Sequence, residues 1–517
     1  MNRSLLLWPV LGAAALATAN LLLAQPTTSP QQQPAPPAAN AAPTAQVERG
    51  RYLVQLGDCV ACHTQKGGAR LAGGRPVGTP FGRLLSANLT PDTQTGIGRY
   101  NPDTFYRAMH EGIDHEGRHL YPAFPYNYYT QVTREDSDAM FAYLRTVPAV
   151  NHAVDRNQLP FPFNIRQLMI VWNAMFLDKG PYKPVAGKPP EWNRGAYLVE
   201  GLGHCQACHT PKNMLGANKD RDAFRGGTLG VWFAPDLTGN RRTGLGGWDD
   251  ATLREFLRSG ANTHSAASGE MGEVVAFSTS QMNDADIAAT IAYLRTIAPS
   301  PDLKVEAPDA QVMKQGEAIF QDACAACHRM DGSGVPRLFP PIRGDANLQQ
   351  SDPATLIHFV LAGTRKVPVD ASPTPLSMPA FGWKLSDQQV AAVLTYSRNS
   401  WGNSAPAVTG KQVEDLRKKL KLETQPRAEP PVDLAHPGAL TLSTANTDSR
   451  ANGTGDAGKA APASDKLPTT AGQASGAQGG GSAPSGQGGS GGSNAAGSGA
   501  PKEKGGGRPA GVPAGGG

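Results

Sequence analysis

The chain repeats one five-residue pattern three times. The pattern is Cys-x-x-Cys-His, and it occurs at Cys59–His63, Cys205–His209 and Cys324–His328, which together contain all six cysteines of the chain. Two thiols at this spacing can bond to the two vinyl groups of one porphyrin, and the histidine that follows then lies under the iron. The pattern therefore predicts three covalently attached c-type haems. The predicted attachment residues are Cys59, Cys62, Cys205, Cys208, Cys324 and Cys327, and the predicted proximal iron ligands are His63, His209 and His328.

Other uses of paired cysteines fit this pattern less well. A disulfide framework is typical of short secreted chains with scattered cysteines, whereas here more than a hundred residues separate consecutive pairs. A zinc site would bring two pairs together, which leaves three motifs unevenly matched and the histidines unexplained. A thioredoxin-like redox pair does not require the histidine. The three complete copies favour haem.

The sequence around the motifs indicates three similar units. A chain of 517 residues predicts about three domains, and a short amphipathic helix leads into each motif. A second helical pattern closes each unit, at 136–147, 284–297 and 386–401, with Asp or Ser expected at the N-cap. Gly-rich loops between them are expected to wrap around a flat cofactor. We therefore predict a mainly α fold of three tandem cytochrome c-like haem domains, at 46–150, 185–300 and 308–403.

The two ends of the chain have different compositions from its body. Residues 1–24 contain Arg3, an apolar run and small residues at a cleavage point, which predicts a signal peptide or an uncleaved anchor. Either places the body outside the cytoplasm. Residues 25–45 predict a Pro/Gln/Ala linker, and residues 428–517 a disordered Gly/Ser-rich tail. The formal net charge of +5 omits the haem propionates and gives no indication of a nucleic-acid partner.

The segment between the first two predicted domains, 151–184, is an apolar connector. It contains the run Leu159–Phe163 and the longer stretch Leu168–Leu177, which is too short to cross a membrane. Packing between domains is the favoured interpretation, because three haem domains must hold fixed positions. A docking surface is the alternative.

Electron-transfer haems commonly have a methionine sulfur as sixth iron ligand. Met378, in Ser-Met-Pro-Ala-Phe before the third closing helix, is the predicted sixth ligand of the third haem. For the second haem we predict Met271, in Gly-Glu-Met-Gly. Met282 is its alternative, but it lies beside the N-cap of the closing helix. A methionine in either place could also be a packing residue of the core.

The first unit departs from this pattern. Its equivalent segment is Tyr-Pro-Ala-Phe-Pro-Tyr, and Phe124 cannot bind iron. Met109 matches core positions of the other two units, so it is predicted to be a core residue. His115 and His119 lie closer to the expected place, and we predict ligation by one of them, with His119 preferred. A five-coordinate iron is the alternative.

These features resemble the triheme cytochrome c subunits of bacterial membrane-bound dehydrogenases. The resemblance extends over about 46–403 and includes Trp192–Gly201 before the second motif and Met378–Phe381 before the last helix. It implies that the chain takes electrons from a catalytic subunit on the periplasmic side of the inner membrane. The electrons would pass through its haems to ubiquinone or another respiratory acceptor, with the protein held at the membrane surface. It also implies the covalent, proximal and methionine ligands given above.

Phe124 bears on the class of the catalytic partner. Alcohol dehydrogenase cytochromes of this family generally have Met in this segment, whereas the Phe form is more similar to cytochromes paired with molybdenum-cofactor hydroxylases. A molybdenum-cofactor partner is therefore slightly favoured over a quinoprotein or a flavoprotein. Nothing in the chain resembles a pterin, quinone-cofactor or flavin site, so substrate oxidation is expected on another subunit.

Two other functions stay open at this point. An open first haem could bind a small ligand and make the chain a haem enzyme, which carbon monoxide binding to the reduced protein would reveal. Alternatively, the chain could be a freestanding multihaem carrier that feeds a terminal oxidase. Purification from native membranes without a catalytic partner would favour that alternative.

Overall fold

The computed structural model describes residues 44–155, 157–336, 338–374 and 377–422. The predicted signal or anchor at 1–24 and the predicted tail at 428–517 lie outside these residues, as does nearly all of the predicted linker at 25–45. Within the described residues the fold is mainly helical, with three antiparallel two-stranded sheets. None of the described helices combines the length and the apolar character needed to cross a membrane.

The elements form three sets, numbered here in chain order. The first unit contains α1 (Ala45–Leu56), α2 (Cys59–His63), β1 (Pro76–Thr79), β2 (Gly82–Leu85), α3 (Pro102–Glu111), α4 (Tyr126–Tyr129) and α5 (Arg134–Leu144). The connector contains α6 (Leu168–Phe176). The second unit contains α7 (Pro190–Ala196), α8 (Gln206–His209), β3 (Arg225–Leu229), β4 (Trp232–Asp236), α9 (Asp250–Ser259), α10 (Gly269–Phe277) and α11 (Asp284–Leu294).

The third unit begins and ends with similar helices, but its two short strands come after the helix that follows the motif helix, not before it. It contains α12 (Ala310–Ala323), α13 (Ala325–His328), α14 (Ala354–Ala362), β5 (Thr364–Arg365), β6 (Ser377–Met378) and α15 (Asp387–Arg398). One further helix, α16 (Gly410–Lys419), follows the predicted third domain. Its Val413 and Leu416 are buried in the core of the third unit, and its Arg417 pairs with Asp387 at 2.7 Å. Residues 408–422 therefore contribute to that core, which extends beyond the predicted third domain.

The first and last helices of each unit cross at a glycine. The crossings pair Gly50 of α1 with Ala139 of α5, Gly195 of α7 with Ala289 of α11, and Gly316 of α12 with Ala392 of α15. A Cβ built on these glycines would lie 1.8, 1.9 and 2.2 Å from the partner's carbonyl oxygen. Because such a contact is far inside van der Waals distance, glycine is what allows the helices to approach so closely. The crossing fixes the helix that leads into each motif against the helix that closes the unit.

The N-caps of the closing helices differ in part from the expected residues. Ser386 is the N-cap of α15, as predicted, and it forms a capping box with Gln389. In the other two units the cap is Thr133 for α5 and Asn283 for α11, not the predicted aspartates. The helices begin earlier in the chain because the threonine and asparagine side chains accept the free N–H groups of the first turn. Asp284, expected as a cap, is the first residue of α11, and Asp136 and Asp286, in the first turns of these helices, have a different role.

Those aspartates join the first two units. The hydroxyl of Tyr197 donates to Asp136 of α5 at 2.6 Å, and the hydroxyl of Tyr52 donates to Asp286 of α11 at 2.8 Å, so each tyrosine reaches into the other unit. Each carboxylate is also paired with an arginine of its own unit, Arg49 or Arg194. Burial raises the pKa of Asp286, but hydrogen bonding and charge from Arg194 outweigh it and lower the pKa overall. These two reciprocal hydrogen bonds and one shared apolar core hold the two units together.

The connector packs between the first two units, as the favoured interpretation predicts, only in part. Trp172 of α6 is buried, and its indole N–H donates to the carbonyl oxygen of Leu215 at 2.9 Å. Most of the other large apolar side chains are exposed: Phe161, Phe163, Ile165, Leu168, Ile170, Val171 and Met175. The physical reason is geometric, because α6 lies on the outside of the first unit and turns only one side towards it. Interdomain packing therefore accounts for a minority of the apolar connector residues.

A buried carboxyl lies where the third unit meets the second. Asp345 caps the turn Ala346–Gln349, and the amide of Asn347 bonds both to Asp345 and to the hydroxyl of Ser265 in the second unit. Burial raises the pKa of Asp345 to about 7, although hydrogen bonds from Asn347 act in the opposite direction. Near neutral pH the folded chain therefore holds, in part, a proton that the unfolded chain has lost.

We expect Asp345→Asn to remove a pH dependence of stability. An acid with a raised folded pKa binds more protons in the folded state, so its contribution falls as the pH rises from about 4 to about 7. Thermal unfolding of the wild type should therefore lose more stability between about pH 5 and about pH 8 than that of Asp345→Asn, by on the order of 2 kcal/mol. Asp309→Asn, at the exposed N-cap of α12, is the matched control. Parallel pH profiles for wild type and Asp345→Asn would contradict the prediction.

Candidate haem-binding sites

Each Cys-x-x-Cys-His motif forms a short helix soon after the helix that leads into it, and in the second and third motifs the first cysteine is the N-cap. α2, α8 and α13 each end at the motif histidine, and the second is preceded by a turn of π-helix, Tyr197–Leu202. All six thiols are free. Burial raises the pKa of Cys59 and Cys205 to about 12 and that of Cys324 to about 11. These thiols are therefore protonated at neutral pH.

The three motif histidines have the same orientation. The Nδ1 atom of His63 lies 2.7 Å from the carbonyl oxygen of Ala87, that of His209 lies 2.7 Å from Pro235, and that of His328 lies 3.1 Å from Pro340. An Nδ1–H that donates to a backbone carbonyl fixes the tautomer and leaves Nε2 free to bind a metal. Burial lowers the pKa of all three imidazoles, which favours the neutral form that ligates iron. The residues present therefore fit the proximal side of a c-type haem.

The hairpins supply two of these carbonyl acceptors. β1 and β2 pair with Thr79 opposite Gly82, and β3 and β4 pair with Leu229 opposite Trp232. Ala87 follows β2, and Pro235 lies within β4. The expectation of loops in this region was therefore incomplete, because a short sheet holds the chain that orients the histidine. In the third unit the acceptor Pro340 lies in a turn after the motif.

Met378, the predicted sixth ligand of the third haem, is held by backbone pairing. It lies in β6 opposite Thr364 of β5 and packs against the core of the third unit. Gly363, just before β5, has a φ of +72° and approaches the Met378 carbonyl closely, so a side chain there would be strained as well as crowded. The position of Met378 is fixed by the chain on both sides.

Met271, the predicted sixth ligand of the second haem, lies in the first half of α10. Gly269 at the start of this helix touches the indole of Trp232, in the strand whose Pro235 carbonyl holds His209. The structure thus brings the helix of Met271 against the hairpin that orients the proximal histidine. Met282, the alternative, is 6% exposed in the core shared by the first two units.

The first unit places Phe124 and Met109 in or against the core and buries ring nitrogens of His115 and His119. Phe124 packs against the ring of Tyr129 at 5.5 Å and against the shared core, and Met109 is also a core residue, 4% exposed. His115 packs against the ring of Tyr100 at 4.5 Å. The Nδ1 atom of His119 and both ring nitrogens of His115 are buried without a hydrogen-bond partner in the described structure. His119 therefore keeps Nδ1 available for a ligand, whereas Nε2 of His115 lies 3.6 Å from a carboxylate oxygen of Glu116.

A test of the first haem follows from these buried ring nitrogens. We expect His119→Leu to convert one haem of the chain from low spin to high spin, because a five-coordinate iron is left when its imidazole is removed. Electron paramagnetic resonance of the oxidised protein measures the change, and His115→Leu is the matched control. An unchanged low-spin spectrum in the variant lacking both histidines would contradict histidine ligation.

Arg75 is a residue of this region that the motif search missed. Its guanidinium donates to the carbonyl oxygen of Ala61, inside the first motif, at 2.7 Å. The same group pairs with Glu273 of α10 at 2.7 Å and lies 3.7 Å from Glu270. Arg75 therefore links the first motif to the helix that carries Met271. No local pattern reveals it, because its acidic partners lie about two hundred residues further along the chain.

The helix crossing, the cysteine pairs and the oriented histidines define a cytochrome c with covalently bound haem. Comparison with known proteins agrees, since the cytochrome c family model matches residues 193–298 and 313–401. The chain is 42% identical over 396 residues to the gluconate 2-dehydrogenase cytochrome c subunit of Pantoea cypripedii, an alignment that covers 72% of this chain and 90% of that protein.

Two further relatives are similar over most of the chain. The cytochrome c subunit of alcohol dehydrogenase (quinone) from Gluconacetobacter polyoxogenes is 37% identical over 397 residues, covering 73% of this chain and 85% of that protein. The fructose dehydrogenase cytochrome subunit of Gluconobacter japonicus is 33% identical over 464 residues, covering 84% of this chain and 93% of that protein. The chain belongs to the family of cytochrome c subunits of dehydrogenases.

Proposed function

We propose that the chain is the electron-transfer subunit of a membrane-bound dehydrogenase and carries three covalent c-type haems. One observation supports this most strongly: the Nδ1 atoms of His63, His209 and His328 each lie within hydrogen-bonding distance of a backbone carbonyl oxygen, which leaves Nε2 free. When bound, each haem iron accepts and releases one electron. The protein residues attach the haem, orient the proximal imidazole and exclude water from it.

The sixth ligands complete the proposal for each haem. Met378 and Met271 serve the third and second haems, and His119 serves the first. A thioether ligand raises the reduction potential relative to a second imidazole, so the first haem is expected to have the lowest potential of the three. Three haems of unequal potential in one chain form a relay.

The partners follow from the relatives and from Phe124. The relatives are cytochrome subunits of dehydrogenases, so the electron donor of this chain is a catalytic dehydrogenase subunit. We infer that this subunit is of the molybdenum-cofactor type, and that ubiquinone or another respiratory acceptor receives the electrons. The complex is expected on the periplasmic side of the inner membrane, where haem attachment and export coincide.

Purification from native membranes tests this function. The chain is tagged at its C-terminus, extracted in mild detergent and captured, and the captured proteins are identified by mass spectrometry and analysed for molybdenum. We expect a catalytic dehydrogenase subunit to co-purify with this cytochrome in a stable ratio. Capture of the cytochrome alone would favour the freestanding carrier, and a flavoprotein or quinoprotein partner would contradict the molybdenum assignment.

A further inference from the structure

The outer face of α6 consists of apolar side chains. At 100° per residue the exposed arc of this helix contains Leu168, Ile170, Val171, Ala174 and Met175. Ile170, Val171 and Met175 each expose more than half of their surface. A helix on the surface of a water-soluble protein normally has polar residues on this side. α6 therefore exposes to solvent the apolar side that a surface helix normally buries.

The inner side of the same helix holds its polar groups. The amide oxygen of Asn173 accepts from the hydroxyl of Tyr126 at 2.7 Å, and its NH₂ group donates to the carbonyl of Glu111 at 3.3 Å. Trp172 is buried beside it, against Tyr126 and Phe176. These contacts fix the rotation of α6 about its axis. The apolar face is thus held outward by specific hydrogen bonds.

The exposed apolar surface extends beyond the helix. The ring of Phe163 packs against Phe81 of the first unit at 5.0 Å, and Phe81 lies next to Gly216 of the second unit. Met214 and Leu215, in that loop, are 92% and 51% exposed. We call the following residues the connector patch: Phe161, Phe163, Ile165, Leu168, Ile170, Val171, Met175, Met214 and Leu215. Patches of this kind mark interaction sites.

The few charges within the two segments that form the connector patch are basic. Residues 157–177 contain Arg166 as their one charged residue. Residues 211–219 contain Lys219, which is exposed, and Lys212, whose ammonium is part-buried and donates to the carbonyl of Gln206. An aspartate, Asp178 or Asp220, follows each segment. Arg166 stacks on the ring of Tyr121 and donates to the carbonyl of His119. Apolar side chains with basic residues among them are typical of segments that lie in the interface of an anionic bilayer.

We propose that the connector patch inserts into the acyl chains of a lipid bilayer and holds the first two units against the membrane. This inference rests on the proposed function, since it supplies the surface by which the electron-transfer subunit meets its membrane. A protein partner fits less well, because protein interfaces include about one hydrogen bond per 100–200 Å². All the side chains that α6 exposes lack hydrogen-bonding groups. The hydrocarbon region of a bilayer contains no hydrogen-bonding groups, so an apolar protein surface in contact with it leaves none unpaired.

Photolabelling of the full haem-loaded chain tests the inference. The chain is bound to vesicles of phosphatidylethanolamine and phosphatidylglycerol that contain a lipid with a diazirine in its acyl chain, and adducts are mapped by mass spectrometry. We expect adducts on peptides that contain 161–175 and 214–215. This readout does not depend on whether residues 1–24 are also retained as an anchor. Adducts elsewhere in the chain with none on the connector patch would overturn the inference.

A surface variant separates lipid binding from partner binding. Ile170→Gln, Val171→Gln and Met175→Gln, combined, should reduce acyl-chain labelling of the patch by about tenfold while leaving the haem spectrum unchanged. Met330→Gln, Leu338→Gln and Trp383→Gln, at comparably exposed positions of the third unit, are the matched control. If the triple variant is labelled normally but no longer receives electrons from the catalytic subunit in detergent, the connector patch is instead a binding site for that subunit. Absence of substrate-dependent haem reduction in the wild type would contradict the proposed function, and the labelling result would still stand.

Discussion

Gly195→Ala is expected to destabilise the chain by about 3 kcal/mol or more, which lowers the melting temperature by roughly 10 °C. The new Cβ would lie 1.9 Å from the carbonyl oxygen of Ala289 and 2.8 Å from the Cβ of Tyr293. Alanine favours a helix over glycine by about 1 kcal/mol, but this gain is smaller than the penalty of separating two packed helices. α11 also contributes Ile287 and Ile291 to the core shared by the first two units, so both units should be affected.

Thermal unfolding followed by circular dichroism measures this effect, and the haem content of the purified variant provides a second readout. Gly78→Ala is the matched control, because a Cβ at that position of β1 meets no atom within 4 Å. Equal melting temperatures for the two variants would show that the helix crossing in the second unit is not the close contact described.

Met378→His is expected to lower the reduction potential of one haem by on the order of 0.1 V, because an imidazole stabilises ferric iron relative to a thioether. The haem should stay low spin while the methionine-to-iron charge-transfer absorption decreases. Met378 is fixed by its pairing with Thr364, so the substituted ring is presented from the same backbone position. A redox titration followed at the α-band resolves the displaced component.

Met214→His is the control for Met378→His, since Met214 is 92% exposed in a loop of the second unit. It should leave all three potentials unchanged. A titration curve of Met378→His that superimposes on that of the wild type would exclude Met378 as an iron ligand and would return it to the role of a packing residue.

The features that the sequence predicts well are those encoded within a few residues. The Cys-x-x-Cys-His spacing dictates where the thiols and the imidazole lie relative to one porphyrin, and the apolar periodicity identifies the helices on either side. The glycine at each crossing is present in the sequence, but its importance becomes visible only when the partner carbonyl, for example that of Ala289, lies beside it.

The features that escaped prediction depend on contacts between distant segments. Tyr52 donates to Asp286, which is 234 positions away in the chain. Tyr197 donates to Asp136, which is 61 positions away. The connector was expected to pack between domains because its composition is that of a core. Composition does not reveal which side of α6 faces the protein, and that choice is made by the hydrogen bonds of Asn173. Contacts between residues far apart in the sequence therefore determine how the first two units join and which connector side chains are exposed.

In the proposed function, electrons from a substrate enter the haems of this chain through a catalytic partner. Anaerobic titration of the purified complex with the partner's substrate, followed at the α-band and compared with full reduction by dithionite, tests this path. We expect substrate to reduce this chain by three electrons, one for each Cys-x-x-Cys-His motif. Haems that dithionite reduces but substrate does not, in a complex whose catalytic subunit is active with an artificial acceptor, would contradict it.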